Sequence, residues 1–148
     1  MLHDVDALVR DFAVEALWSI WFRADVEHAA ELRRLSVLER EKGEDPLPGL
    51  NELAKKTPRF AEVYNQRAIV HFRRGDYTRS IADCDRTLRL NPVHFGAASG
   101  MGQCYMKLRR YRAALRSFRR ACRINPNLKG VREAIDSLEK MLGEEGKR

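Results

Sequence analysis

Between Arg86 and Arg132 the chain has no Asp or Glu, against 12 Lys or Arg. Solvated helices ordinarily mix the two signs, so this gap asks for a physical reason. Cysteine is nearly as scarce. Cys84, Cys104 and Cys122 are odd in number and form no CxxC pair, which argues against a disulfide framework or a thiolate zinc site and for a reducing compartment. All three sit at apolar positions of helical patterns and read as small buried hydrophobes rather than reactive thiols. His3, His28, His71 and His94 share no metal-ligand spacing, so neither a metal nor another cofactor is expected. Long apolar runs are missing too. The longest, from Leu17 to Phe22, falls far short of the ~20 residues of a membrane span. Asp4, Asp6 and Asp11 break up the Met1 end, so no secretory signal is expected.

What is present suffices for a folded domain. Of 148 residues, 44% are hydrophobic, enough to bury a core, and 33% are charged, enough for a water-soluble surface. The net charge of +7 is unevenly spread. Residues 1–57 carry 12 acidic and 8 basic side chains, whereas residues 58–148 carry 9 acidic and 20 basic.

Pro58, Pro92 and Pro126 stand 34 residues apart, and a fixed period of this size marks a repeat architecture. The same step pairs Tyr77 with Tyr111, Arg86 with Arg120, Arg89 with Arg123 and Asn91 with Asn125. It also pairs Ile81 with Leu115 and Leu90 with Ile124. Each unit reads as helix, short turn, helix, proline stop. In the first, Ala61–Arg74 is helical, Gly75-Asp76 turns, and Tyr77–Leu90 forms the second helix. The residue before a proline is pushed out of the α region, which ends the helix there.

These residues resemble the tetratricopeptide repeat, with its series of aromatic, large apolar and small residues closed by a proline. The unit at 61–92 supplies Tyr64, Arg67, Ala68, His71, Ser80, Cys84 and Pro92; the unit at 95–126 supplies Ala98, Met101, Gly102, Tyr105, Ala114, Phe118, Ala121 and Pro126. The small residues, Ala68 with Ser80 and Gly102 with Ala114, sit where the two helices of a hairpin cross closely. Arg67 in an apolar slot and Arg109 in place of the turn glycine depart from the pattern. The resemblance implies an all-α fold: a short right-handed solenoid of about three helical hairpins with capping helices at both ends. The stretch His94-Phe95-Gly96-Ala97, followed by Ser99-Gly100, is similar to small repeat proteins of bacteria and plastids.

The flanks fit such an array. Asp25–Glu41 puts Ala29, Leu32, Leu35 and Leu38 on one face, and Pro46–Lys56 reads as its partner helix. Leu128–Leu142 spaces Val131, Ala134, Ile135, Leu138 and Met141 as an amphipathic cap, which an open solenoid end needs. The predicted organisation is an N-terminal helix (1–24), a degenerate unit (25–60), units at 61–94 and 95–128, and a capping helix with tail (129–148), all one domain. The N-terminal helix, Val5–Phe22, is apolar around more of its circumference than a surface helix needs. It reads as a helix between two neighbours, or else as a partner or dimer contact.

No catalytic constellation emerges, and an enzyme is not expected. Gly96-Ala97-Ala98-Ser99-Gly100-Met101-Gly102 lacks the preceding strand and the Lys-Ser/Thr of a phosphate loop. Asp83 and Asp85 point apart on one helix. Function is therefore expected on surfaces, with no membrane and no small-molecule substrate. If Ala98, Met101, Gly102 and Tyr105 face the core, Gly96, Ser99, Gly100, Gln103 and Lys107 share the opposite face. One repeat earlier the same stripe is Glu62, Asn65, Gln66, Ile69 and Arg73. In the resembling family that face lines a concave groove. Glycine on a helix costs about 1 kcal/mol relative to alanine, so Gly96 and Gly100 mark either close helix packing or room for a ligand backbone. In related chaperone-clamp proteins Lys, Asn, Asn, Lys and Arg grip terminal carboxylates. The matching positions here hold Arg33, Val37, Gln66, Gly96 and Gly100, so that clamp is not expected.

A second surface is basic. Arg112, Arg116, Arg119, Arg120 and Arg123 recur at helical spacing opposite Ala114, Leu115, Phe118 and Ala121. The resemblance places them on the convex side. The expected function is a scaffold or adaptor that binds a peptide or acidic protein segment in the groove. The alternative is a nucleic-acid-associated, especially RNA-associated, helical repeat using the basic face. The expected setting is a soluble, reducing compartment: cytoplasm, or plastid stroma after removal of a transit peptide.

Overall fold

A residue followed by proline ends three of the helices in the computed structural model, which describes residues 2–143. Among the described residues there are eight α-helices and no strand: α1 Leu2–Phe22, α2 Ala29–Lys42, α3 Leu47–Lys56, α4 Ala61–Arg73, α5 Tyr77–Leu90, α6 Phe95–Lys107, α7 Tyr111–Ile124 and α8 Lys129–Leu142. Thr57, Asn91 and Asn125, each before a proline, leave helical geometry with φ of −127°, −137° and −133°. Asn91 Oδ1 accepts from the Val93 N–H at 3.4 Å, and Asn125 Oδ1 accepts from the Asn127 N–H at 3.1 Å. One stop device thus recurs 34 residues on.

The hairpin turns recur as closely. After α4, the Gly75 N–H donates to Phe72 O and the Asp76 N–H to His71 O; after α6, Arg109 N–H donates to Met106 O and Arg110 N–H to Tyr105 O. Both are the paired bonds that close a helix through one left-handed residue. Gly75 has φ +76°, and Arg109 adopts φ +57° in its place. Asp76 then caps α5 by accepting from the Arg79 N–H, and His94 caps α6 by accepting from the Ala97 N–H through Nδ1.

Two compact units divide the chain, residues 1–62 and 63–148. In the first, Leu32, Leu35 and Leu38 of α2 and Leu50 and Leu53 of α3 are buried. A Cβ on Gly49 would meet the Leu35 methyls, so a larger residue there would require the buried Leu35 side chain to shift. Helix α2 begins later than the pattern suggests. Asp25 Oδ1 accepts from the His28 N–H at 3.1 Å and holds that segment as a turn. Helix α1 buries Trp21, edge-on to Trp18 with centroids 5.0 Å apart, while Val9, Phe12 and Ile20 are exposed. The reading with two neighbours is not met along that stripe.

In the second unit, α5 packs on α6, α6 on α7 and α7 on α8. Ala68, Cys84, Leu88, Ala97, Ala98 and Ala121 form one buried cluster; Ala114, Leu115, Phe118 and Leu138 form another. Small residues admit close crossings, as the resemblance implies. Ser80 Oγ donates to Ala68 O at 2.8 Å across α4 and α5. A Cβ on Gly102 would lie 2.6 Å from the Phe118 ring, so only glycine fits there. No helix among the described residues is long and apolar enough to cross a membrane.

Candidate functional site

Helix α6 turns Ala97, Ala98, Gly102 and Cys104 inward and leaves Gln103 and Lys107 exposed, with Gly96, Ser99 and Gly100 half-buried. Gly100 stands toward α5. A methyl there would make only ordinary contact with Cys84 Sγ at 3.7 Å, so helix packing alone does not require glycine at this position. On α4, Arg73 is exposed and Gln66 and Ile69 are half-buried. Asn65 departs from the expectation. Residues 62–65 are all buried, so the first turn of α4 is covered on every side and the Asn65 amide is not presented to a partner.

The basic face also needs one correction. Arg112, Arg116 and Arg123 are exposed and Arg120 is half-buried. Arg119 instead donates from Nη2 to Glu139 Oε1 of α8 at 3.0 Å. The acid missing from α7 is supplied by the capping helix, and Arg119 serves α7–α8 packing. Tyr105 and Tyr111 are half-buried and pack against the cluster of Ala114, Leu115, Phe118 and Leu138, and Phe118 is buried within it.

Two features go beyond the sequence pattern. The first is a buried polar cluster. Arg67 Nε and Nη2 donate to Asp83 Oδ2 and Oδ1 at 2.8 and 2.7 Å, and His71 Nε2 lies 3.8 Å from Asp83 Oδ2. The guanidinium of Arg67 rests over the Tyr64 ring at 5.5 Å, as does that of Arg86. Bonding to Asp83 raises the Arg67 pKa, while burial lowers that of His71. An arginine in an apolar slot is the one signal the sequence offers for it. Asp85 turns away to pair with Arg89 on its own helix at 2.9 Å. The second feature is a cleft of about 520 Å³ that reaches from Gln103 of α6 to the first turns of α8, with Phe118, Leu128 and Val131 among its walls. No single helix pattern could reveal it.

The thiols suit packing rather than chemistry. Burial pushes Cys84 up to about 12, and Cys104 and Cys122 are also raised chiefly by burial. Among the described residues no three His, Cys, Asp or Glu side chains gather as a metal-binding set.

Helical hairpins repeated at a 34-residue step and closed by an amphipathic helix define a helical-repeat module of the kind used for protein–protein contacts. The family model described as tetratricopeptide repeat matches residues 50–93 and 65–128, more than half the chain, and the chain belongs to that family. A TPR repeat-containing protein of Rhizobium etli is 31% identical over 107 residues, 72% of this chain and 52% of that one. The human protein SGT1 homolog is 38% identical over 78 residues, 51% of this chain and 21% of that one. The chain thus spans about half the length of the first of these relatives and a fifth of the second. Among solved structures, the first TPR of Spaghetti (RPAP3) bound to the HSP90 peptide SRMEEVD superposes with a TM-score of 0.72 at 18% identity. That match covers 80% of this chain and 95% of the other, and it shows the shared fold.

Proposed function

We propose that the protein is an adaptor, acting by binding and without a catalytic step, that holds an extended or helical segment of a partner protein. The contact runs along Gly96, Ser99, Gly100, Gln103 and Lys107 of α6, continued by Gln66, Ile69 and Arg73 of α4. The observation that carries this reading is the exposed polar edge of α6. Gln103 and Lys107 are exposed on a helix whose other faces are packed. An amide can pair with a ligand's main chain, and the cations select for acidic segments. Three free thiols suit a reducing compartment such as cytoplasm or plastid stroma.

The test is a pull-down with mass spectrometry from the native source, using wild type and an Arg73→Glu, Gln103→Ala, Lys107→Glu variant. A partner captured by wild type and absent from the variant is expected; equal capture overturns the reading. The RPAP3 structure holds an acidic chaperone tail, but here Gly96 and Gly100 stand where clamp proteins place cations. Titration with SRMEEVD is therefore expected to show no useful affinity, because each missing charge-assisted bond is worth about 1.5–3 kcal/mol. Low-micromolar binding would make the chaperone tail the partner. The second reading, nucleic acid, rests on the acid-free face of α7.

A further inference from the structure

The repeat step shows where the binding face goes next. Thirty-four residues carry Gly96 onto Gly130 and Gly100 onto Ala134, and both Gly130 and Ala134 line the cleft beside Gln103. The capping helix α8 therefore continues the face begun on α6 rather than simply sealing the array. At this step the face becomes a hollow. Phe118, Leu128 and Val131 supply apolar walls, Gln103 and Lys129 are exposed polar side chains beside them, and a Cβ on Gly130 would meet nothing within 4 Å. Its volume of about 520 Å³ lies within the roughly 300–1,000 Å³ of ligand-binding clefts.

We infer that this cleft takes one large apolar side chain from an acidic segment of the partner protein. Apolar walls open to water gain by covering, and a single leucine or phenylalanine does this with little ordering cost. Charge selects the segment around it. All the lining residues from Gln103 to Val131 belong to the stretch without Asp or Glu. The first acid beyond that stretch, Glu133, is exposed and not part of the lining. Lys129 is the one charged side chain among the lining residues, so an acidic segment is attracted and a basic one repelled.

The inference rests on the adaptor reading, and the two fail separately. A phage library of random peptides is panned on the wild-type protein, and enriched peptides are titrated against Gly130→Trp, Lys129→Glu and wild type. Open space at Gly130 lets tryptophan fill the cleft without moving the core, and circular dichroism melting checks that the variant folds. Enriched peptides should be acidic with one large apolar residue. Their affinity should fall roughly tenfold or more with Gly130→Trp, and by a salt-dependent amount with Lys129→Glu. Replacing the apolar residue of the peptide by alanine should weaken wild-type binding similarly, which tests the cleft without any protein variant.

Peptides of no common charge, indifference to that alanine change, or no enrichment would each overturn the inference. Sedimentation showing wild-type dimers that Gly130→Trp dissolves would put a second copy in the cleft, and would overturn it also. Native-partner capture abolished in the α6 variant but kept by Gly130→Trp would leave the adaptor reading standing and remove the cleft from it.

Discussion

The guanidinium of Arg67 on α4 grips both carboxylate oxygens of Asp83 on α5, with donor–acceptor distances of 2.8 and 2.7 Å. The pair replaces an apolar contact at a helix crossing, and Asp83 is buried beneath it. Removing only the acid strands a cation whose side chain is 22% exposed. Losing one partner of a fully buried pair costs about 3–5 kcal/mol, and an apolar replacement of both partners is often neutral. Asp83→Ala should therefore lower stability to unfolding by about 2–4 kcal/mol, and Arg67→Leu with Asp83→Leu should recover much of that. Urea denaturation measures both; an Asp83→Ala midpoint equal to wild type would show that the pair contributes nothing.

His71 gives the fold a dependence on pH. Burial lowers its pKa most strongly, Arg67 and Arg79 lower it further, and the carboxylates of Asp83 and Asp76 oppose the shift. The folded protein thus keeps His71 neutral at pH values where the unfolded chain, titrating near 6.5, takes up a proton. A depressed folded value means that the stability is present above about pH 6.5 and is lost as pH falls from there through the folded value. Urea midpoints should drop between about pH 7 and 5.5, and His71→Gln should flatten that segment. An unchanged slope in the variant would assign the loss to other groups.

Arg109 adopts φ +57° where the preceding turn has Gly75. A side chain in the left-handed region costs about 1–2 kcal/mol, which glycine avoids. Arg109→Gly should raise stability by about 0.5–1 kcal/mol after the unfolded chain's greater freedom is subtracted. Thermal melting decides it, since a lower melting temperature would mean that the arginine side chain contributes more than its backbone costs.

The exposed arginines of α7 separate protein from nucleic-acid binding. Arg116→Glu with Arg123→Glu should weaken binding to single-stranded RNA and flatten its salt slope by about 0.7 for each phosphate no longer neutralised. Binding by wild type is expected to be weak and indifferent to sequence. Arg119→Glu should act differently, lowering melting temperature by facing Glu139 with a second carboxylate. Tight, sequence-dependent RNA binding by wild type would move the function to nucleic acid, and native-partner capture unaffected by the double change would leave the face as a solubility feature.

What was legible in the chain itself was most of what a few consecutive residues control, the Asp25–His28 turn before α2 excepted. Prolines at 58, 92 and 126 force the preceding residue from helical geometry, glycine or a tolerated arginine turns the hairpin, and apolar spacing assigns the inner face. Those are backbone and periodicity effects, so the helices and the repeat follow from local chemistry. The sites obey another rule. Arg67 meets Asp83 across 16 residues, and Arg119 meets Glu139 across 20, because helix crossings bring them within bonding distance. Burial of Asn65 and the hollow between α6 and α8 depend on neighbouring helices that no single stripe describes. The tertiary structure alone decided which charges are neutralised and where a cleft remains, because those outcomes belong to pairs of elements.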